Sequence, residues 1–172
     1  MKPQKNRKPQ KLKQMATFLK IQISPKVPEA RVVSVEDVKK ELVTDFDDRD
    51  AEIDNEIVTA TEVLQNYTGQ AFLPSDVSII VEQENPCWFT IPYANNADMG
   101  DNQDNLKGNR YYSTDKVVEL NYTAGETKEW MKRAVIKYVT DLFDNKGDSR
   151  NTEVGIEAKK LCKGHIIHGL LF

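Results

Sequence analysis

Histidine is almost missing from this 172-residue chain: there are two, His165 and His168, both within the last eight positions. Everything upstream therefore lacks the commonest general acid–base residue and metal ligand. Cysteine is scarce too, and Cys87 and Cys162 read as free thiols rather than as a bridge. No apolar run approaches the ~20 residues that a membrane-spanning helix needs, so no membrane partner is expected. The basic start, MKPQKNRKPQKLKQM, lacks the apolar stretch and small-residue cleavage site of a secretion signal. The expectation is a protein that is not exported, in which the sequons at Asn66 and Asn121 are coincidental. Walker loops, HExxH, GxSxG and GxGxxG are all absent. No catalytic residue, no metal and no cofactor is expected, and the chain does not read as an enzyme.

Acid is also absent where it would balance the first charges. Residues 1–26 carry eight Lys or Arg, and the first acidic residue is Glu29. Of 24 basic and 27 acidic residues in all, 16 basic and all 27 acidic ones follow, so a +8 arm is joined to a −11 body. Such a cationic arm suits an acidic surface on another subunit, on a different protein, or a nucleic acid.

What is present is one domain's worth of amphipathic pattern. Residues 1–30 read as a basic extended arm interrupted by Pro3, Pro9, Pro25 and Pro28. Within it, Thr17–Ile23 alternates as a short strand expected to pair outside its own domain. The core domain is expected over 31–163. Ser34 reads as an N-cap with Asp37 in an approximate capping box, followed by Val35, Val38 and Leu42 at helical spacing. Ile53, Ile57, Ala60, Leu64 and Tyr67 form one stripe over four turns, closed by Gly69. Val77–Val81 and Cys87–Ile91 flank a short connection and read as a hairpin, with Lys116–Tyr122 a third strand. The Asn-, Asp- and Gly-rich run 93–115 reads as one long polar loop. Thr127 is the expected cap of a helix bearing Met131, Val135, Tyr138 and Leu142, beside Trp130 and Ala134. A last short helix is expected at about 153–163, and an apolar tail at 164–172. The fold class is α+β, predominantly α, with three to four helices around a small antiparallel hairpin or sheet and an extended arm at each end.

The acidic stretch DFDDRDAEIDNE, Asp45–Glu56, is not a calcium loop: counted from Asp48, the glycine position holds Ile53 and the last ligand position Thr59. It reads as a helix start, with Asp47, Asp48 and Asp50 offering cap oxygens at the positive end of the helix dipole. Cys162, His165 and His168 would suit zinc as residue types, but Gly164 interrupts the helix that would align them. A metal-dependent enzyme built on that cluster is thus the weakest alternative. A small nucleic-acid-binding protein using Lys2, Lys5, Arg7, Lys8, Lys11 and Lys13 is the main one, its binding salt-sensitive and without sequence preference. The tail residues Ile166, Ile167, Leu170, Leu171 and Phe172 gain a gross ~8–15 kcal/mol if buried. Ordering eight residues costs ~1–2 kcal/mol apiece, so docking on another chain is the more favourable use of the tail.

VSVEDVKKEL, the acidic cap and IVTATEVLQNYTG resemble the first half of the tailed-phage head–tail connector (adaptor) family, and Tyr67-Thr68-Gly69 resembles its helix ending. Asn121–Gly125, NYTAG, resembles its strand-end YxAG, and DLFDNKGD stands in place of an aromatic-x-Asn-Arg ending, with Lys146 where Arg is common. The resemblance spans about residues 32–163. It implies a non-enzymatic virion protein, assembled in the host cytoplasm, whose homo-oligomeric ring, commonly dodecameric, sits beneath the portal. Such a ring carries the next neck or tail component and lets DNA pass non-specifically through its channel. Under that resemblance, His165, Ile166, Ile167, His168, Leu170, Leu171 and Phe172 are expected to meet the portal. The six arm cations are expected to brace a neighbour, and Asp98, Asp101 and Asp104 to line the channel.

Overall fold

The computed structural model describes residues 16–42, 47–144 and 155–167. Strand β1 (Ala16–Pro25) leads to helix α1 (Val35–Leu42), a 3₁₀ turn (Asp47–Arg49) and helix α2 (Asp50–Thr68). Strands β2 (Ser75–Gln83) and β3 (Cys87–Thr90) precede a 3₁₀ segment (Gly100–Asn105) and strands β4 (Leu106–Lys107), β5 (Arg110–Ser113) and β6 (Val117–Ala124). Helices α3 (Glu129–Asp144) and α4 (Ile156–Cys162) follow, with a last 3₁₀ turn at Lys163–His165. The α+β class holds, with two three-stranded antiparallel sheets, ordered β1-β2-β6 and β3-β5-β4.

Two cores divide the molecule. The helical one gathers Val38, Ile53, Ile57, Leu64, Phe72, Met131, Val135, Val139 and Ala158 from all four helices and the turn after α2. The second lies between the sheets and holds Val77, Ile79, Val81, Phe89, Ile91, Tyr111, Leu120 and Tyr122. Helix α1 starts on a reciprocal pair: the Asp37 amide donates to Ser34 Oγ (3.1 Å), and the Ser34 amide to the Asp37 carboxylate (3.4 Å). Helix α2 ends as its sequence demands, with Gly69 at φ 68° and its amide donating to the Gln65 carbonyl.

Several expectations are corrected. The strand at Thr17–Ile23 pairs within its own domain: β1 runs antiparallel to β2 from Ala16↔Gln83 to Pro25↔Ser75. Residues 16–25 of the supposed arm are thus an edge strand of the core sheet. The predicted hairpin does not form either, because β2 lies between β1 and β6 while β3 pairs with β5. The tie between them is a side chain. Buried Gln83 donates from Nε2 to the Ser113 and Asp115 carbonyls, and its Oε1 accepts from Cys87 Sγ. The long polar loop is structured, containing a 3₁₀ segment, β4 and β5. Thr127 is not the cap of α3; its hydroxyl donates to the Phe72 carbonyl (2.8 Å) and fastens the helix entry to the turn after α2. Tyr67 faces outward and Thr68 is buried in its place, its hydroxyl bonded back to the Leu64 carbonyl.

Gly125 explains the strand-end glycine of the NYTAG stretch. It sits at φ +99°, and a Cβ there would fall against the Leu73 carbonyl and the Ala71 side chain. Its amide donates to the Asn95 carbonyl (2.9 Å). Only glycine allows both the conformation and the close approach.

Candidate assembly surfaces

The acidic stretch does start a helix, but the cap differs from expectation. Arg49, not an aspartate, occupies the N-cap position, and no side chain caps the first turn. Asp50 and Glu52 lie in that turn, where negative charge complements the positive end of the helix dipole. The carboxylates are also paired rather than merely solvated: Asp50 with Lys39, Glu52 with Arg49 (2.8 Å), and Asp54 with Arg31. The last is a two-toothed contact, Arg31 Nε to Oδ1 at 2.8 Å and Nη2 to Oδ2 at 2.9 Å. The Arg31 guanidinium holds the Asp54 carboxyl below the usual carboxylate range, and Asp54 in turn raises Arg31. The pair clamps the segment before α1 onto α2.

The tail begins as part of the fold. His165 is exposed on one side and stacked on Trp130 on the other, with ring centroids 4.1 Å apart and planes 7° from parallel. Its carbonyl accepts from Gln70 Nε2, and the Ile167 amide donates to the Thr68 carbonyl (2.8 Å). Ile166 and Ile167 are half-buried. These contacts fix the tail's exit where α2 ends and α3 begins. His168, Leu170, Leu171 and Phe172 lie outside the described residues, as do the arm cations Lys2, Lys5, Arg7, Lys8, Lys11 and Lys13. Cys162, by contrast, is fully buried, and burial pushes its thiol up to about 11. Cys162 and His165 therefore face different environments, core and surface, and no group of three possible metal ligands occurs among the described residues.

The three candidate channel aspartates are all exposed, but they are not on a free loop. Asp98 and Thr123 exchange backbone hydrogen bonds (2.8 and 3.1 Å), which pins the segment to the outer edge of β6. The Asp98 carboxylate accepts from the Gly100 amide, and Asp101 and Asp104 ride on the following 3₁₀ segment. Asp98, Met99 and Gly100 wall a shallow groove of about 550 Å³ on the outer face of the first sheet. Its lining is mixed, with the polar residues Gln22, Ser24, Asp76, Ser78, Asn121 and Thr123 beside Val77 and Tyr122.

Sequence reasoning missed one cluster. On the outward face of the second sheet, Trp88 stands opposite Tyr112 in the β3–β5 pair, ring centroids 5.3 Å apart. Lys107 Nζ lies 5.4 Å and Arg110 Cζ 6.0 Å from the Trp88 ring centre. The signal in the sequence was KGNRYY, Lys107–Tyr112: cations and aromatics around a Gly-Asn turn, hidden inside a run read as polar loop.

The whole fold has a counterpart among solved structures. A chain of "Neck of empty GTA particle computed with C6 symmetry", GTA being gene transfer agent, a phage-like particle, superposes with a TM-score of 0.61 at 14% identity. The match covers 89% of this chain and 98% of that one. No protein-family model matches the chain, and a comparison with curated proteins gives no match. The α+β fold described above is therefore one that a phage-like neck contains.

Proposed function

We propose that this chain is a structural, non-catalytic subunit of a phage-like neck, acting as a head–tail adaptor. In this reading it forms a ring beneath the portal, of twelve copies if it follows the family it resembles, assembled in the host cytoplasm. The ring carries the next neck or tail component and continues the DNA channel. The observation that carries the reading is the shared fold with a neck chain over nearly the full length of both. The order of helix, acidic cap, YTG and YTAG stretches along the sequence supports it independently.

In this reading the contact residues divide into anchors and docking elements. Because His165 and Ile167 are engaged by Trp130 and Thr68, they anchor the tail, and the portal-binding part is His168–Phe172. The six arm cations brace an adjoining subunit or layer, and exposed Asp98, Asp101 and Asp104 line the channel, where negative charge keeps DNA from adhering.

The test is a truncation. Deleting His168–Phe172 while keeping the Trp130 anchor is expected to abolish co-purification with the portal and leave the fold intact by circular dichroism. Undiminished binding by the truncated chain refutes the portal role of the tail. Imaging of the chain with its portal checks the ring and the position of the aspartates; a loop on the outer wall removes them from the channel.

A further inference from the structure

The first sheet, β1-β2-β6, is flanked by two edge strands. Both run antiparallel to β2, so β1 and β6 are parallel to each other. The hydrogen-bonding phase of each edge follows from its ends. Thr123 turns its amide and carbonyl outward to Asp98, so Asn121, Glu119 and Val117 turn theirs outward too. On β1, the Lys26 amide points inward to the Pro74 carbonyl, which leaves Ile21 and Ile23 facing the open side. None of these five backbone positions finds a partner for its outward groups among the described residues. The side chains of the two edges are complementary. β1 carries one cation, Lys20, and no acid; β6 carries one acid, Glu119, and no cation. Both are exposed and form no ion pair among the described residues. Both also pair with Ile80 of β2, which puts them level on the outer face. Leu19 and Val117, each more than half exposed, lie beside them at the same end of the sheet. Phe18, Ile21 and Ile23 face the core yet stay half-buried, whereas Val118, Leu120 and Tyr122 of β6 are buried. The flank of β1 is therefore apolar as well as unpaired.

We propose that β1 of one copy of the chain adds to β6 of the next, joining their sheets edge to edge as the lateral contact of the ring. The inference rests on the ring reading and names the strands that close it. A copy displaced sideways in the sheet keeps its strand direction, so the added pairing is parallel. At matching level it sets Lys20 beside Glu119 of the next copy, and Leu19 beside Val117. The Asp98 segment already occupies the edge at Thr123, so the contact is confined to Val117–Asn121. The incoming strand also covers the flanks of Phe18 and Ile21. Main-chain hydrogen bonds supply affinity in such strand addition, and side chains supply specificity. Joining two different edges is heterologous, the kind of contact that generates a ring when its rotation closes. The competing arrangement sets β1 against β1 of a second copy. That two-fold dimer offers Lys20 no acid on the facing strand and leaves β6 unused.

Cysteine cross-linking tests the contact on the full chain, alone and with its portal. Within one molecule β2 holds positions 19 and 117 about 10 Å apart, two strand spacings, which is too far for a disulfide. Native Cys87 and Cys162 are buried, and wild type under the same mild oxidation is the control. The L19C/V117C chain is expected to give a ladder of covalent multimers. Neither single variant is expected to cross-link by itself, and the two mixed are expected to stop at a heterodimer. K20E and E119K, each checked for native circular dichroism, are expected to raise the concentration needed for assembly roughly 3–10-fold in sedimentation. The K20E/E119K chain is expected to recover, since the reversed charges attract again. L19C that dimerises by itself, with no ladder from the double variant, overturns the proposal in favour of β1 against β1. Reversals that leave assembly unchanged, with no ladder, overturn it as well. Rings of L19C/V117C imaged on the portal that yield no cross-link overturn the contact alone. Wild type that neither self-associates nor binds portal overturns the neck reading itself.

Discussion

The helical core and the inter-sheet core are comparable in extent but specified in different ways. In the helical core, Ile53, Ile57, Ala60 and Leu64 recur every three or four residues along α2 and are all buried. The contact surface is written into one short stretch of chain. In the other, β2 is buried at every second position from Ser75 to Gln83, yet its two neighbours come from Ala16–Pro25 and Val117–Ala124. Alternation states which side chains go inside, and is silent on which strand lies alongside. The polar ties differ as well. The helical half is laced by half-exposed ion pairs such as Arg31–Asp54, whereas the sheets are joined by the buried amide of Gln83.

That contrast is open to experiment. The largest effect is expected at the joint. Phe72, fully buried among the helices and edge-on to Trp130 (5.4 Å), sits in the turn that also receives Thr127. Phe72→Ala is expected to cost about 3–5 kcal/mol in denaturant unfolding. If hydrogen exchange then quickens in the helices and not in the sheets, the two cores are separable units. A cost under ~1 kcal/mol would show that Phe72 is no keystone. Next comes Gln83→Leu, which leaves the buried Ser113 carbonyl without its donor and Cys87 Sγ without its acceptor. A loss of about 1–3 kcal/mol is expected, with exchange quickening confined to β3 and β5. Uniform quickening would show that the sheets and helices open together.

The smallest effect is expected at the clamp. Asp54→Asn at neutral pH is expected to cost about 1 kcal/mol, because the pair is half exposed and screened. The sign with pH is fixed by direction. The folded-state carboxyl lies below its unfolded value, so its stabilisation is full at neutral pH and is lost as pH falls through the depressed folded value. Wild type should therefore lose more stability than the variant on acidification, and parallel pH curves would rule out the linkage.

The parts legible in the sequence were those set by near neighbours. The Ser34–Asp37 box, the α2 stripe and the Gly69 stop each depend on residues within one or two turns. What escaped depended on distant partners. Thr127 looked like a cap because it precedes a helix, and the Phe72 carbonyl, 55 residues earlier, claims its hydroxyl. Tyr67 fits the stripe by spacing, but the last turn buries Thr68, and Lys159 from α4 covers the outward Tyr67 ring (5.8 Å). The tail looked free because its apolar residues follow Gly164, yet the Trp130 ring, 35 positions before His165, captures its first turn. The Lys107–Tyr112 patch was only half written in KGNRYY, because Trp88 comes from another strand.

Of the two tryptophans in the chain, each half owns one, Trp88 in the sheets and Trp130 in the helices. The imidazole lying flat on Trp130 makes that indole's emission a label-free gauge of whether His165 is seated, while Trp88 reports on the outward face of the second sheet. Replacing either one with phenylalanine would leave a single-tryptophan protein in which capture by a partner could be followed as it happens, with excitation chosen to spare the tyrosines.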